Sequence, residues 1–226
     1  EIDGGDDIAP PISFTGPAPR WITWTADGQH VAFELGGQIV VATGPDMKDA
    51  VAISGHSIYG HPSWSPDGGS IAFVSNRSAD PDFTPEAVGI YVVPAEGGEM
   101  RQIDTPVGGI ALPAYSPDGE WIAYFGREGR GDWWKHTRLY VVPSDGSAAP
   151  RCLTDDHDLQ LGDSTLGDLA GFPAANPPPQ WSPDGSAIAV GMGGSIWSID
   201  PATDIATELT RGAKYHSSPT WSPDGR

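Results

Sequence analysis

The residues with the chemistry to act on a substrate are few, and they fall in three places. Gly55-His56-Ser57-Ile58-Tyr59 sets a serine beside a histidine, and Gly162-Asp163-Ser164-Thr165-Leu166 sets another beside an acid. A serine nucleophile on a strand-to-helix elbow needs Gly-x-Ser-x-Gly, because both glycines permit the strained turn. Tyr59 and Leu166 stand where the second glycine should be, so neither serine is assigned as a nucleophile. The chain is therefore expected to carry no catalytic residue of its own.

The second place is acidic. Asp155, Asp156 and Asp158 flank His157, with Asp163 and Asp168 further on, and Asp3, Asp6 and Asp7 form another run near the start. Carboxylates so spaced could ligate a hard cation through oxygen. A calcium loop, however, alternates acidic ligands around a central Gly and ends on a Glu, and neither run does so. We read the acids as solvated loop and assign no metal; Asp155, Asp156 and Asp158 are the positions to inspect for one. The six histidines are scattered without metal spacing, so zinc is not assigned either, and no other cofactor motif is present.

The third place is aromatic and basic. Trp133-Trp134-Lys135-His136, with Arg127, Arg130 and Arg138 nearby, is the one such cluster in a chain of formal charge −18. Aromatic residues and Arg dominate the energetics of binding surfaces. Trp133, Trp134, Arg127 and Arg138 are accordingly the candidates for contact with a peptide or another domain. A purely packing role, with one Trp plugging a neighbouring structural unit, stays open beside that reading.

What must position these residues is a repeat. One phrase recurs five times: Trp24-Thr-Ala-Asp-Gly28, Trp64-Ser-Pro-Asp-Gly68, Tyr115-Ser-Pro-Asp-Gly119, Trp181-Ser-Pro-Asp-Gly185 and Trp221-Ser-Pro-Asp-Gly225. Pro presets φ for the second turn position, Asp can bond nearby backbone N–H groups, and Gly takes the positive φ that reverses the chain. After the first four copies come alternating apolar stretches such as Ser70-Ile-Ala-Phe-Val74 and Trp121-Ile-Ala-Tyr-Phe125. Second strands follow at Gln38-Ile-Val-Val41, Gly89-Ile-Tyr-Val-Val93, Arg138-Leu-Tyr-Val-Val142 and Ser195-Ile-Trp-Ser198. Closing strands are read at Val51–Ser54, Arg101–Asp104, Arg151–Thr154 and Glu208–Thr210.

Four short antiparallel strands per unit of about 40 residues make a propeller blade, and blades stack because one sheet cannot bury both of its faces alone. The expected architecture is all-β: an open propeller of four nearly complete blades and the start of a fifth. Residues 18–60, 61–110, 111–176 and 177–217 form the blades, residues 1–17 close a preceding one through Ile12–Gly16, and residues 218–226 open the fifth. Truncation of a longer chain is the simplest account of those ends. The Trp/Tyr-to-Trp/Tyr spacings of 40, 51, 66 and 40 locate the insertions. The long connections, Asn76 to Val88, Arg127 to Thr137 and Asp155 to Pro179, all belong to one face of the blades. The short Asp-Gly and Glu-Gly-Gly turns belong to the other. Function on a rigid scaffold usually resides in the longer loops.

Composition limits the partners. With 30 acidic against 12 basic residues, nucleic acid and anionic membrane surfaces are poor partners. No run approaches the 18 or so apolar residues of a membrane span. Cys152 is the single cysteine and sits in strand-like Arg-Cys-Leu-Thr, where it reads as a small hydrophobe and forms no internal disulfide. Absence of disulfides is compatible with a cytoplasmic location.

Pro-x-Trp-Ser-Pro-Asp-Gly followed by Ile-Ala-Phe resembles the repeat of Tol-B-like propellers, which also occurs in the N-terminal propellers of the prolyl oligopeptidase family of serine peptidases. Thr137–Gly146, the acidic stretch Pro150–Leu169 and Pro177–Gly185 are similar to acylaminoacyl-peptidase-like members, which carry a comparable insertion after a Leu-Thr strand. The resemblance implies a C-terminal α/β-hydrolase domain bearing the Ser-Asp-His triad and a propeller that restricts a peptide substrate's access to it. None of the triad maps onto this chain. The rival expectation is a non-enzymic, envelope-located (periplasmic) Tol-B-like scaffold that binds protein. A second copy of the chain is the remaining partner to consider.

Overall fold

The computed structural model describes residues 18–55, 60–129, 131–132, 134–162, 177–212 and 216–225. Among them there is no helix, and so none long and apolar enough to cross a membrane. Sixteen strands form four antiparallel sheets of four, each in sequential order and none closed on itself. The first contains β1 (Arg20–Trp24), β2 (His30–Leu35), β3 (Gln38–Thr43) and β4 (Lys48–Ala52). The second contains β5 (Ser63–Trp64), β6 (Ser70–Asn76), β7 (Val88–Pro94) and β8 (Arg101–Ile103). The third contains β9 (Gly108–Tyr115), β10 (Trp121–Glu128), β11 (Arg138–Pro143) and β12 (Arg151–Cys152). The fourth contains β13 (Gln180–Trp181), β14 (Ile188–Met192), β15 (Ser195–Ile199) and β16 (Ala206–Glu208). This is the open propeller that the repeat implies.

The core lies between the sheets. Ala32 and Ile39 of the first pack on Ile71, Phe73 and Val93 of the second. The other face of the second, through Val74, Ile90 and Val92, meets Ile122, Tyr124 and Val142 of the third. Phe125, Leu139 and Val141 of the third then meet Ile188, Val190 and Ile199 of the fourth. In the second and third blades the two inner strands are buried on both faces, which is why their sequences run apolar almost without a break.

The repeated phrase forms the same circuit each time. Thr25, Ser65, Ser116 and Ser182 donate through their hydroxyls to Asp27, Asp67, Asp118 and Asp184. Each hydroxyl also accepts the N–H of the residue that opens the next strand or directly precedes it, at His30, Ser70, Trp121 and Ala187. The Gly that follows Asp sits at φ 68° to 78° in all five copies, a region that costs other residues a steric penalty. Those hydrogen bonds, the hydroxyl's first, hold the four Asp carboxyls below the usual carboxylate range, Asp184 at about 2.

The aromatic of the phrase links neighbouring blades. Trp64 Nε1 donates to Thr23 O at 3.3 Å, Trp181 Nε1 to Ala114 O at 3.1 Å and Trp221 Nε1 to Gln180 O at 2.8 Å. In every case the acceptor directly precedes the aromatic of the previous copy. Tyr115 has no indole N–H, and that junction is held instead by its backbone N–H on Ser63 Oγ at 3.2 Å.

Three features differ from the sequence reading. β4 and β16 end earlier than the closing segments Val51–Ser54 and Glu208–Thr210, because a side chain takes over the last ladder position. Ile39, Leu139 and Ile196 donate their N–H groups to the hydroxyls of Ser54, Thr154 and Thr210 at 2.8, 3.0 and 2.8 Å. β9 starts at Gly108, three residues ahead of the expected start of its blade at 111. Only glycine fits there, since a Cβ would lie 1.8 Å from Arg127 O. Finally, Trp21, His61, Leu112 and Ser218, each three residues before the repeated aromatic, all adopt φ between 51° and 58°. Such left-handed residues cost roughly 1–2 kcal/mol each. Pro178 occupies the matching place in the fourth blade, and its ring forbids that conformation.

Candidate functional site

Trp134, Lys135, His136, Arg138, Asp155 and Asp158 among the sequence candidates converge on one cleft of about 420 Å³ on the insertion face of the third blade. Its floor is the end of the sheet: Glu128 closes β10, and Arg138 and Tyr140 open β11. Its walls are Trp134, Lys135 and His136 from the β10–β11 connection, and Asp155 and Asp158 from the segment after β12. Strand alternation explains the floor, since Tyr124, Gly126 and Glu128 share one side of β10 and pair across to β11, Tyr124 opposite Tyr140 and Gly126 opposite Arg138.

Arg138 is the organiser. Its Nη1 donates to His157 O and, at 3.0 Å, to Leu159 O, so the guanidinium holds down the acidic segment's backbone. Further anchors fix that segment to the fourth blade. Leu161 is buried and bridges Met192, Gly162 N donates to Gly191 O at 2.9 Å, and the His157 ring meets Trp197 edge-on at 5.4 Å. With its backbone pinned, the segment can present Asp155 and Asp158 to the cleft. His136 Nδ1 lies 3.4 Å from Asp158 Oδ1, and Lys135 Nζ lies 2.7 Å from Asp132.

Beneath the cleft sits an aromatic pair. Tyr140 donates its hydroxyl to Glu128 Oε1 at 3.1 Å and stacks on Tyr124, with ring centroids 5.3 Å apart. The Tyr124 hydroxyl is buried and has no hydrogen-bond partner. Burial, reinforced by the nearby Glu128 and Cys152, pushes both phenols far above their ordinary pKa. Cys152 packs at the edge of the same core and its thiol is raised, burial first, so it behaves as the small hydrophobe its sequence context suggests.

Not every candidate reaches this cleft. Arg127 alternates to the opposite side of β10, where its guanidinium lies over Gly109 of β9. Asp156 is exposed and does not line the cleft. Trp133, Arg130, Ser57, Asp163, Ser164, Asp168, the first acidic run and the segment Ile12–Gly16 lie outside the described residues. Among the described residues no three His, Cys, Asp or Glu side chains gather as a metal site. Glu128, Tyr140 and Tyr124 escaped the sequence reading, although period-two spacing from Tyr124 to Glu128 carries the signal.

A second concavity of about 210 Å³ lies among the first strands, lined by Trp21, His61, Leu112 and Pro178. These are four of the five positions three residues before the aromatic, three of them left-handed, brought together from four blades. The His61 ring packs tilted at 49° against Trp21 with centroids 4.2 Å apart, and its buried Nδ1 has no hydrogen-bond partner among the described residues. Burial, and secondarily Arg20, lowers its pKa to about 4, so the imidazole is neutral at physiological pH.

Comparison with known proteins places this geometry. No family model matches the chain. TolB from Acinetobacter baumannii superposes with a TM-score of 0.60 at 20% identity, over 92% of this chain and 47% of that one. The fold is a Tol-B-like β-propeller. A puromycin-hydrolyzing peptidase from Mycobacterium tuberculosis superposes at 0.62 and 20% identity, over 87% of this propeller and 30% of that chain. The uncharacterized peptidase YuxL of Bacillus subtilis (strain 168) is 27% identical over 165 residues, 73% of this propeller and 20% of its own length. The propeller thus resembles parts of proteins described as peptidases, and it spans about a fifth of the relative it matches in sequence.

Proposed function

We propose that this chain is the propeller part of a prolyl-oligopeptidase-like serine peptidase, acting on short or N-terminally blocked peptides in the cytoplasm. Its insertion face would dock a C-terminal α/β-hydrolase domain and control which peptides reach it. The observation that carries the reading is the convergence of two separate insertions on one cleft, with Trp134, Asp155 and Asp158 presented outward and Arg138 holding the backbone of the acidic segment. Similarity to peptidase propellers in both sequence and fold supports it. Within such an enzyme the propeller would contribute selection rather than bond cleavage.

The test is on the parent gene and its product. Coding sequence beyond Arg226 should yield Gly-x-Ser-x-Gly, then Asp, then His, and a serine-reactive fluorophosphonate should label the product there. The 226-residue chain alone should hydrolyse neither esters nor aminoacyl anilides. Termination a few blades later, with a secretion signal upstream, would replace this reading with that of a Tol-B-like scaffold. Labelling of Ser57 or Ser164 would overturn it from the opposite side.

A further inference from the structure

The junctions between blades follow a repeated plan on the turn face, and one of them omits a part. The residue opposite Val92 in the outermost strand of the second blade is Arg101, and the residue opposite Val141 in the third is Arg151. Each reaches forward to the next blade and donates to an equivalent carbonyl. Arg101 Nη2 bonds Ser144 O at 2.7 Å, and Arg151 Nη2 bonds Pro201 O while its Nη1 meets Asp204. Both acceptors lie two residues beyond the last buried residue of the third strand, Val142 or Ile199.

At the first junction the matching position, opposite Val41, is Val51, and it is 55% exposed. The matching acceptor is Ala95 O, two residues beyond Val93. Between them opens a groove of about 300 Å³ lined by Val41, Val51, Trp64, Ala95, Glu96 and Asp49. The third junction has its counterpart, formed by Val141, Trp181, Pro201 and Ala202, but Arg151 runs into it and only about 220 Å³ is left. The same pocket is therefore built twice, once with an arginine inside and once without.

We infer that the groove between the first and second blades is a receptor for an arginine side chain presented by a partner peptide. The aliphatic stem would lie on Val41, Val51 and the Trp64 indole, as the stem of a long cationic side chain does on apolar surface. The guanidinium would take Ala95 O, the position its internal counterparts take, and the Glu96 and Asp49 carboxylates supply the opposite charge. A guanidinium is favoured over an ammonium because its planar fork can serve a carbonyl and a carboxylate together. This site is on the opposite face from the cleft and does not depend on the peptidase reading.

The test uses the 226-residue chain and three blocked tripeptides, acetyl-Gly-X-Gly-amide with X as arginine, lysine or the neutral isostere citrulline. Binding is followed by the NMR signals of the Val51 methyls and the Trp64 indole. The arginine peptide should shift both saturably, and citrulline should bind roughly tenfold or more weakly, since it loses the charge. Val51→Arg should fill the groove from within, raise the melting temperature and abolish the shifts at Trp64, whereas Val51→Ala should still bind. Glu96→Gln should weaken the arginine peptide selectively. Equal binding of arginine and citrulline, undiminished binding to folded Val51→Arg, or no saturable shift at Trp64 in the parent chain would each overturn the inference.

Discussion

The two faces of this propeller are built from the same strands under opposite constraints. On the turn face the third and fourth blades carry one circuit, with Ser116 and Ser182 bonded to Asp118 and Asp184 at 2.5 and 2.7 Å. On the insertion face those blades have nothing in common: one extends through Trp134 to His136, and the other contributes Gly191 and Trp197 as anchors for its neighbour's loop. Stability is concentrated where the repeat is strict, because the blades share the same turn hydrogen bonds and an indole ties three of the four described junctions, a Tyr115 backbone bond taking its place at the other. Specificity has room where the repeat lapses. The groove at Val51 applies this lesson to the turn face itself, since the one junction that departs from the rule is the one left open.

The sharpest break of this comparison is at an indole. Trp181 is half-buried against the core between the third and fourth blades and donates to Ala114 O across the junction. Trp181→Ala removes an aromatic side chain from a core and should cost about 3 kcal/mol or more, read as a lowered midpoint in urea unfolding. If the loss is within a few tenths of a kcal/mol, the turn-face repeat is not what holds the blades together.

Acid should separate the layers next. His61 is neutral in the fold with a pKa of about 4, whereas the unfolded imidazole takes its proton near 6.5. A depressed histidine means that the unfolded chain binds the extra proton first, so stability falls as pH drops from about 6.5 to 4. The turn carboxylates titrate lower: depressed in the fold, they stabilise above the unfolded value of 3.8, and that contribution is lost as pH falls towards about 2 for Asp184. Melting temperature against pH should therefore descend in two stages. His61→Gln should flatten the upper stage and leave the lower. A single descent confined below pH 4 would place His61 in water rather than against Trp21.

How far the chain could be read from its residues follows the same division. The five copies of the Asp-Gly phrase predict four-stranded blades because turn chemistry is local: Pro, Asp and Gly act within five residues of one another. Trp134, Arg138, Asp155 and Asp158 were legible as unusual residues, but not their meeting, which depends on Arg138 grasping the backbone at His157 and Leu159 some twenty residues away. Arg127 misled because proximity in sequence says nothing of which side of β10 a residue occupies. The left-handed positions at Trp21, His61 and Leu112 gave no local warning, since bulky residues there are tolerated only once neighbouring blades enclose them. The groove at Val51 is visible only after the strand registers align it with Arg101 and Arg151.

The smallest expected effect on stability falls at the cleft, and it is the most informative about the insertion face. Trp134 is 64% exposed, its neighbours Lys135 and His136 reach their carboxylates without it, and Arg138 holds the acidic segment from below. Trp134→Ala should therefore change unfolding free energy by no more than about 0.5 kcal/mol. If the cleft meets a peptide or a hydrolase domain, the same substitution in the parent enzyme should raise KM for peptide substrates, or shift which lengths are accepted, while fluorophosphonate labelling of the serine stays at its original rate. A large loss of stability would instead make Trp134 a plug between neighbouring segments, the packing role that the sequence left open. No change in either stability or KM would move the contact surface elsewhere on the insertion face, with the β6–β7 connection and its 82% exposed Phe83 the next place to probe.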